Sequence, residues 1–147
     1  MQLPTLEAPA ELTTQRLLLR TWRDADRDAF AALNADPEVM KFFPSTVSRA
    51  ASDASIDAWQ KQFAERGWSN WAVELKDTGH CLGFVGLSVP VRALPFTPCV
   101  EVGWRLARSA WGQGYATEAA REALRFGFDI LKLEENVSYT AVVDTRP

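Results

Sequence analysis

The stretch that most constrains this chain is Trp111-Gly112-Gln113-Gly114-Tyr115-Ala116-Thr117. A strand-like run, Val100-Glu101-Val102-Gly103-Trp104-Arg105-Leu106, leads into it, and a helical pattern from about Tyr115 to Leu131 leaves it. A glycine-containing turn between a strand and a helix N-terminus makes an anion site. Glycines let a phosphate approach the backbone, free N–H groups point outward, and the helix dipole favours negative charge. The turn therefore suits a phosphate-bearing cofactor. The same residues also describe a tight structural turn before an ordinary amphipathic helix, because short glycine motifs are common.

The chain around this turn has 147 residues, enough for one domain with a substantial core. A net charge of −3 argues against nonspecific nucleic-acid binding, so no nucleic-acid partner is expected. No apolar run is long enough to span a membrane, and Met1-Gln2-Leu3-Pro4-Thr5-Leu6-Glu7 has neither a basic n-region nor an apolar h-region. The expectation is a cytoplasmic protein without a membrane partner. The two cysteines, Cys81 and Cys99, make no metal-ligand pattern and read as small buried hydrophobes, with a disulfide only if adjacent strands bring them together. Six tryptophans are many for this length; most belong in a core, and some can line a binding groove.

In chain order, residues 1–13 show no clear period, and 1–11 read as a loose lead-in. Gln15 to Trp22 predicts a first strand. Asp24 offers an N-cap for a helix over about 25–34, with Ala25, Ala29, Phe30 and Leu33 on one face. Glu38-Val39-Met40-Lys41-Phe42-Phe43, between Pro37 and Pro44, reads as a short second helix. Phe42 and Phe43 either edge a substrate pocket or anchor that helix to the core. A third helix is expected over about 49–66, burying Ser52, Ile56, Trp59 and Phe63 and ending at Gly67. Strands over 69–76 and 81–89 form a hairpin across Asp77-Thr78-Gly79, and Gly83 and Gly86 suggest a bulge or a close backbone approach. The lone His80 beside that turn reads as a solvated loop residue. A loop over 90–98, a strand over 99–106, the opening turn, its helix and a strand over 135–143 complete the chain.

The order is thus β-α-α-α-β-β-β-α-β, an α+β or mixed α/β layout with 99–143 able to form a parallel crossover. At these residues a resemblance enters. Val100–Leu106 with Trp111–Ala119 resembles the acetyl-CoA motif of the GNAT superfamily of N-acetyltransferases, most closely its RimJ/RimL-like branch. Leu12 to Arg20 resembles that branch's first strand, and Asp36 to Phe43 resembles the segment after its first helix. The family pattern is Gln/Arg-x-x-Gly-x-Gly/Ala. Gly114 and Ala116 fit its last two positions, while Trp111 departs from its first, a departure this branch shares. The resemblance implies a central mixed, largely antiparallel sheet flanked by helices.

It also implies that N–H groups of Gly112, Gln113, Gly114, Tyr115, Ala116 and Thr117 hold the pyrophosphate of acetyl-CoA. The strand before the turn would splay from the last strand, so that the backbone of Trp104, Arg105 and Leu106 pairs with the pantetheine arm. Arg108 either contacts a phosphate or is a solvated turn arginine. The acceptor is a primary amine, from a protein N-terminus or a small molecule. It must be neutral to attack the thioester, so a nearby carboxylate should take its proton. Glu101, mid-strand among apolar neighbours, is the candidate, because burial raises a carboxyl's pKa; an ion-paired or exposed glutamate is the alternative. An oxyanion donor would be a backbone N–H near Trp104 or Arg105.

The family continues past this strand with an Asn-containing turn, a helix and a closing hairpin. Here Asp144 stands at the Asn position and Pro147 is the last residue. The expectation is a single incomplete domain over 1–147, truncated or completed by another chain, whose open sheet edge invites a homodimer. Two other classes compete with an enzyme. One is a noncatalytic acyl-CoA-binding module. The other is a dinucleotide domain, since Gly112-x-Gly114-x-x-Thr117 is a broken Gly-x-Gly-x-x-Gly with Glu134 about twenty residues beyond Gly114. That motif, however, belongs after an early, fully apolar strand.

Overall fold

The computed structural model describes residues 4–89, 100–132 and, as backbone, 137–138. Six strands form one sheet: β1 (Leu12–Thr13), β2 (Leu17–Arg20), β3 (Asn70–Leu75), β4 (Cys81–Ser88), β5 (Val100–Leu106) and β6 (Val137–Ser138), in that spatial order. Neighbours from β1 to β5 are antiparallel, whereas β6 runs parallel to β5 through the pairs Val100↔Val137 and Glu101↔Ser138. This is the mixed, largely antiparallel sheet expected. The rest of the fifth predicted strand, its splay from β5, the open edge beyond it, the 90–98 loop and Cys99 lie outside the described residues.

Three α-helices accompany the sheet: α1 (Arg27–Asn34), α2 (Arg49–Arg66) and α3 (Tyr115–Asp129). Two differences from the sequence reading concern the start of α1 and the segment after it. A 3-10 turn, Asp24–Asp26, precedes α1; the Asp26 carboxylate closes that turn by accepting from the Arg23 N–H at 2.8 Å, and α1 itself starts without a side-chain cap. The short helix expected over 38–43 is absent. Those residues form successive turns, with Met40 N–H bonded to Asp36 O and Phe43 N–H to Met40 O. The segment is only six residues long between Pro37 and Pro44, too short to repay helix nucleation, and the Asp36 carboxylate accepts from the Glu38 N–H at 2.9 Å at its start. The apolar residues still serve the core, because Val39 and Met40 are buried and Phe43 packs against it.

α1 and α2 cover one sheet face. Their contact is aromatic: Trp22, Phe30, Trp59 and Phe84 stack with centroids 4.9 to 6.2 Å apart. α3 packs on the sheet through β4 and β5, and Phe126 meets Trp71 edge-on at 5.3 Å. Each deeply buried indole finds an acceptor: Trp22 on Asn70 O, Trp68 on Pro4 O and Trp71 on Ala10 O. The last two pairs pin the residues before β1. The described residues of that stretch, 4–11, carry no helix or strand, yet they are fastened to the end of α2 by Leu6 N–H to Arg66 O and Ala10 N–H to Gly67 O.

β4 carries the irregularity its glycines suggested. Val73 pairs with Gly83 and Glu74 with Cys81, so Leu82 is an extra residue, a β-bulge. A Cβ on Gly83 would stand 2.0 Å from Arg105 O, which is why β5 can lie so close there. At the end of β2, Arg20 is 4% exposed and bonds Asp26 through two nitrogens and Glu74 through Nε, at 2.8 to 2.9 Å. Among the described residues no helix is long and apolar enough to cross a membrane.

Candidate active site

β5 ends at Leu106 and a 3-10 turn, Arg108–Ala110, carries the chain to the glycine turn. Trp111 anchors it by donating Nε1–H to Leu106 O at 3.0 Å, and Gln113 Nε2 reaches Ser109 O at 3.1 Å. Gly112 and Gly114 have φ of 78° and 81°, a region where only glycine sits without strain. Gly114 is the N-cap of α3; it has no side chain to cap with, and its carbonyl accepts the first helical bond from Glu118 N–H at 3.0 Å.

Among the described residues, no N–H from Gly112 to Thr117 donates to a protein acceptor. The three residues from Gly112 to Gly114 are exposed, as is Thr117. These N–H groups stand at the positive end of a 15-residue helix. It fits a phosphate-bearing ligand on geometry alone.

A groove of about 260 Å³ continues from the turn between β5 and α3, lined by Val102, Trp104, Ala116, Thr117, Ala120, Arg121 and Leu124. Sequence reading picked Trp104, Ala116 and Thr117 but missed the rest. The signal was present: Thr117, Arg121 and Leu124 recur at helical spacing and so share a face with the turn.

A second missed group braces the turn from a distance. Glu118 accepts from Thr14 Oγ1 at 2.5 Å, Arg16 N–H at 2.9 Å and Arg16 Nε at 2.7 Å. Burial alone would raise the Glu118 pKa, but these bonds hold it below the ordinary carboxylate range. Arg16 also donates to Gln113 O at 2.9 Å and lies 4.4 Å over the Tyr115 ring. No local pattern announces a brace whose partners are 102 residues apart.

The two faces of β5 differ. Val102 and Trp104 face α3 and line its groove. Glu101, Gly103 and Arg105 alternate with them and belong to the opposite face, toward α1 and α2. Glu101 is 3% exposed, opposite Ser88 of β4. Arg105, opposite Phe84, donates from Nη1 to Asn34 Oδ1 at 2.8 Å and lies 4.9 Å from the Phe43 ring. Phe43 thus sits at the Arg105 end of this face, while Phe42 is exposed. Leu106 is buried. Arg108, offered as a phosphate contact or a solvated arginine, reaches Asp36 at 3.3 Å and ties the 36–43 turns to the site. His80 is exposed at the far hairpin. The glycine turn follows the fifth strand of an antiparallel order, which is not the setting of a dinucleotide fold.

Comparison with known proteins agrees. Residues 16–146 match the family described as the acetyltransferase (GNAT) domain. The chain is 34% identical over 125 residues to the uncharacterized protein YkkB of Bacillus subtilis, covering 84% of this chain and 72% of that protein. It is 32% identical over 150 residues to the FsC-acetyl coenzyme A-N(2)-transacetylase of Aspergillus fumigatus, covering 95% of this chain and 62% of that protein. A solved acetyltransferase from Agrobacterium tumefaciens superposes with a TM-score of 0.71 at 26% identity, covering 90% of this chain and 75% of that one. With the free N–H turn at the head of α3 and a family match over nearly its whole length, the chain belongs to the GNAT family of acetyltransferases.

Proposed function

We propose that this protein transfers the acetyl group of acetyl-CoA to a primary amine by direct attack in a ternary complex. The run of unpartnered N–H groups from Gly112 to Thr117 carries this reading. They would hold the pyrophosphate of acetyl-CoA, with the backbone of Trp104, Arg105 and Leu106 taking the pantetheine arm beside the groove. The named chemistry of the Aspergillus relative, transfer from acetyl coenzyme A to a nitrogen, supports the donor and the acceptor class.

Glu101 is the proton acceptor in this scheme. It is buried on the β5 face opposite α3, so the nitrogen can approach from one side of the strand while the thioester lies along its edge. The amine gives its proton to Glu101, directly or through water, and its lone pair attacks the thioester carbonyl. The carbon–sulfur bond then breaks, the acetyl group stays on nitrogen, and the departing thiolate takes up the second proton that the nitrogen sheds as it becomes an amide. A backbone N–H near Trp104 or Arg105 would hold the transient negative charge on oxygen. No covalent enzyme intermediate is needed. The Trp111 departure and the RimJ/RimL-like motif leave both acceptor types, a protein N-terminus and a small amine, within this function.

The test is calorimetric titration with acetyl-CoA, with NAD alongside, followed by acetylation of an amine panel. Acetyl-CoA should bind and NAD should not. Glu101→Gln should lower kcat by roughly 10²-fold or more, the usual size of a general-base effect, while acetyl-CoA still binds. Binding of NAD instead would sink the reading. An unchanged kcat in the variant would remove Glu101 from its role.

A further inference from the structure

We propose that Arg105 determines acceptor specificity by taking a carboxylate, so that the acceptor is a small amine carrying a carboxylate rather than a neutral amine. This rests on the acetyl-transfer reading and names the substrate class for the same site. The guanidinium is wedged between the rings of Phe43, at 4.9 Å, and Phe84, at 5.4 Å. Its Nη1 is engaged by Asn34 Oδ1 at 2.8 Å, and Asn34 is itself fixed by donating to Ser52 Oγ at 3.0 Å. The Nε atom is buried and has no acceptor. It is the only buried side-chain nitrogen or oxygen among the described residues in that condition. Burial pushes the Arg105 pKa down to about 10, with no acidic neighbour acting against it.

Two other arginines show what this fold does when an arginine is merely structural. Arg20 is more deeply buried and spends its guanidinium on two carboxylates, Asp26 and Glu74. Arg66 stacks on Trp68 at 4.0 Å as Arg105 stacks on its rings, but its Nε is satisfied by Trp68 O at 2.9 Å. Arg105 has the stacking without the satisfaction. Its free edge, Nε with Nη2, is the fork that engages a carboxylate through two parallel bonds. A strut between β5 and the 36–43 turns would be served without that unmet donor.

The position also suits an acceptor. Arg105 lies on the same β5 face as Glu101, about 13 Å along the strand by the rise of extended chain. Gly103 lies between them and presents no side chain. An amine near Glu101 and a carboxylate near Arg105 would belong to one molecule extended along this face, with the long Arg105 side chain taking up part of the distance.

The experiment compares amino carboxylates with their own carboxamides, using α-amino acids, β-alanine, 4-aminobutyrate and 5-aminopentanoate. At least one carboxylate should exceed its carboxamide in kcat/KM by about tenfold or more, the scale of a two-bond charged contact. Arg105→Gln should collapse that ratio toward one, chiefly through KM, and Arg105→Lys should restore part of it. A wild type that treats every pair alike overturns the proposal, as does a variant that loses both members equally. A second readout needs no turnover. With CoA present, N-acetylated amino carboxylates should raise the Tm of the wild type and the matching carboxamides should not. Failure of acetyl-CoA to bind would overturn the acetyl-transfer reading instead, and the Tm comparison would still decide the role of Arg105.

Discussion

The glycine turn offers a test in which strain and function separate. Gly112, Gly114 and Gly79 have φ of 78°, 81° and 77°. An added Cβ meets nothing within 4 Å at Gly112 or Gly79, and at Gly114 only the tip of Arg16 at 3.4 Å, an ordinary contact. Alanine at each site therefore carries the same backbone penalty with no clash. That penalty is about 1–2 kcal/mol for a left-handed residue with a Cβ. Denaturant unfolding should show a similar loss for all three variants. The sites differ in what the backbone does. Gly79 turns the β3–β4 hairpin, away from the donor run, whereas Gly112 and Gly114 aim it. If the chain relieves strain by rotating the turn, the N–H groups swing from the phosphate, and loss of one charge-assisted bond of about 1.5–3 kcal/mol weakens acetyl-CoA roughly tenfold or more. Calorimetry should show that loss for Gly112→Ala and Gly114→Ala but not for Gly79→Ala. Equal weakening by all three, or unaltered affinity in all three, would refute the assignment of this turn.

Arg20→Met should cost about 3–5 kcal/mol, because it strands Asp26 in the interior. The pH dependence has a definite sign. Burial would raise the Asp26 pKa, yet the bonds from Arg20 and the Arg23 N–H hold it below the ordinary carboxylate range. The contribution of Asp26 to stability is thus complete above the unfolded carboxyl's pKa of about 3.9 and is lost as pH falls through the lower folded value. Acid titration of unfolding free energy should show this fall in the wild type and not in Arg20→Met. Cys81 gives a third test. Burial, aided by the charge of Asp26, pushes its pKa from 9.0 up to about 11. The thiolate fraction at pH 8 then falls about 100-fold, so in a Cys99→Ser background a thiol reagent should label Cys81 far more slowly in folded than in unfolded protein. Equal rates would contradict the burial of this thiol.

Much of the fold was legible in the sequence because its signals are local. The α2 boundaries follow from Ser48, the apolar spacing and Gly67, and β5, the glycine turn and α3 read in order over residues 100–129. Where local chemistry had two answers, the reading failed. Residues 38–43 have helical composition, but the six residues between Pro37 and Pro44 close only successive turns. On α3, Leu124 and Phe128 are only half-buried, whereas Phe126 is buried and meets Trp71. A period shows that a helix has an apolar face; it does not show where the neighbouring ring stands.

By itself the sequence determined the glycine turn, since Gly112 and Gly114 ahead of an amphipathic stretch mark a strand–turn–helix junction. It also placed Glu101 and Arg105 on one face of a strand, because side chains alternate along β structure. Only the tertiary structure decided what those side chains meet. The brace of Thr14 and Arg16 on Glu118 joins residues more than a hundred positions apart. The Arg105 guanidinium, between rings from β4 and the 36–43 turns, was named in sequence only for its backbone. Whether a charge is satisfied depends on groups the chain brings together from afar, and spacing along one segment carries no record of them.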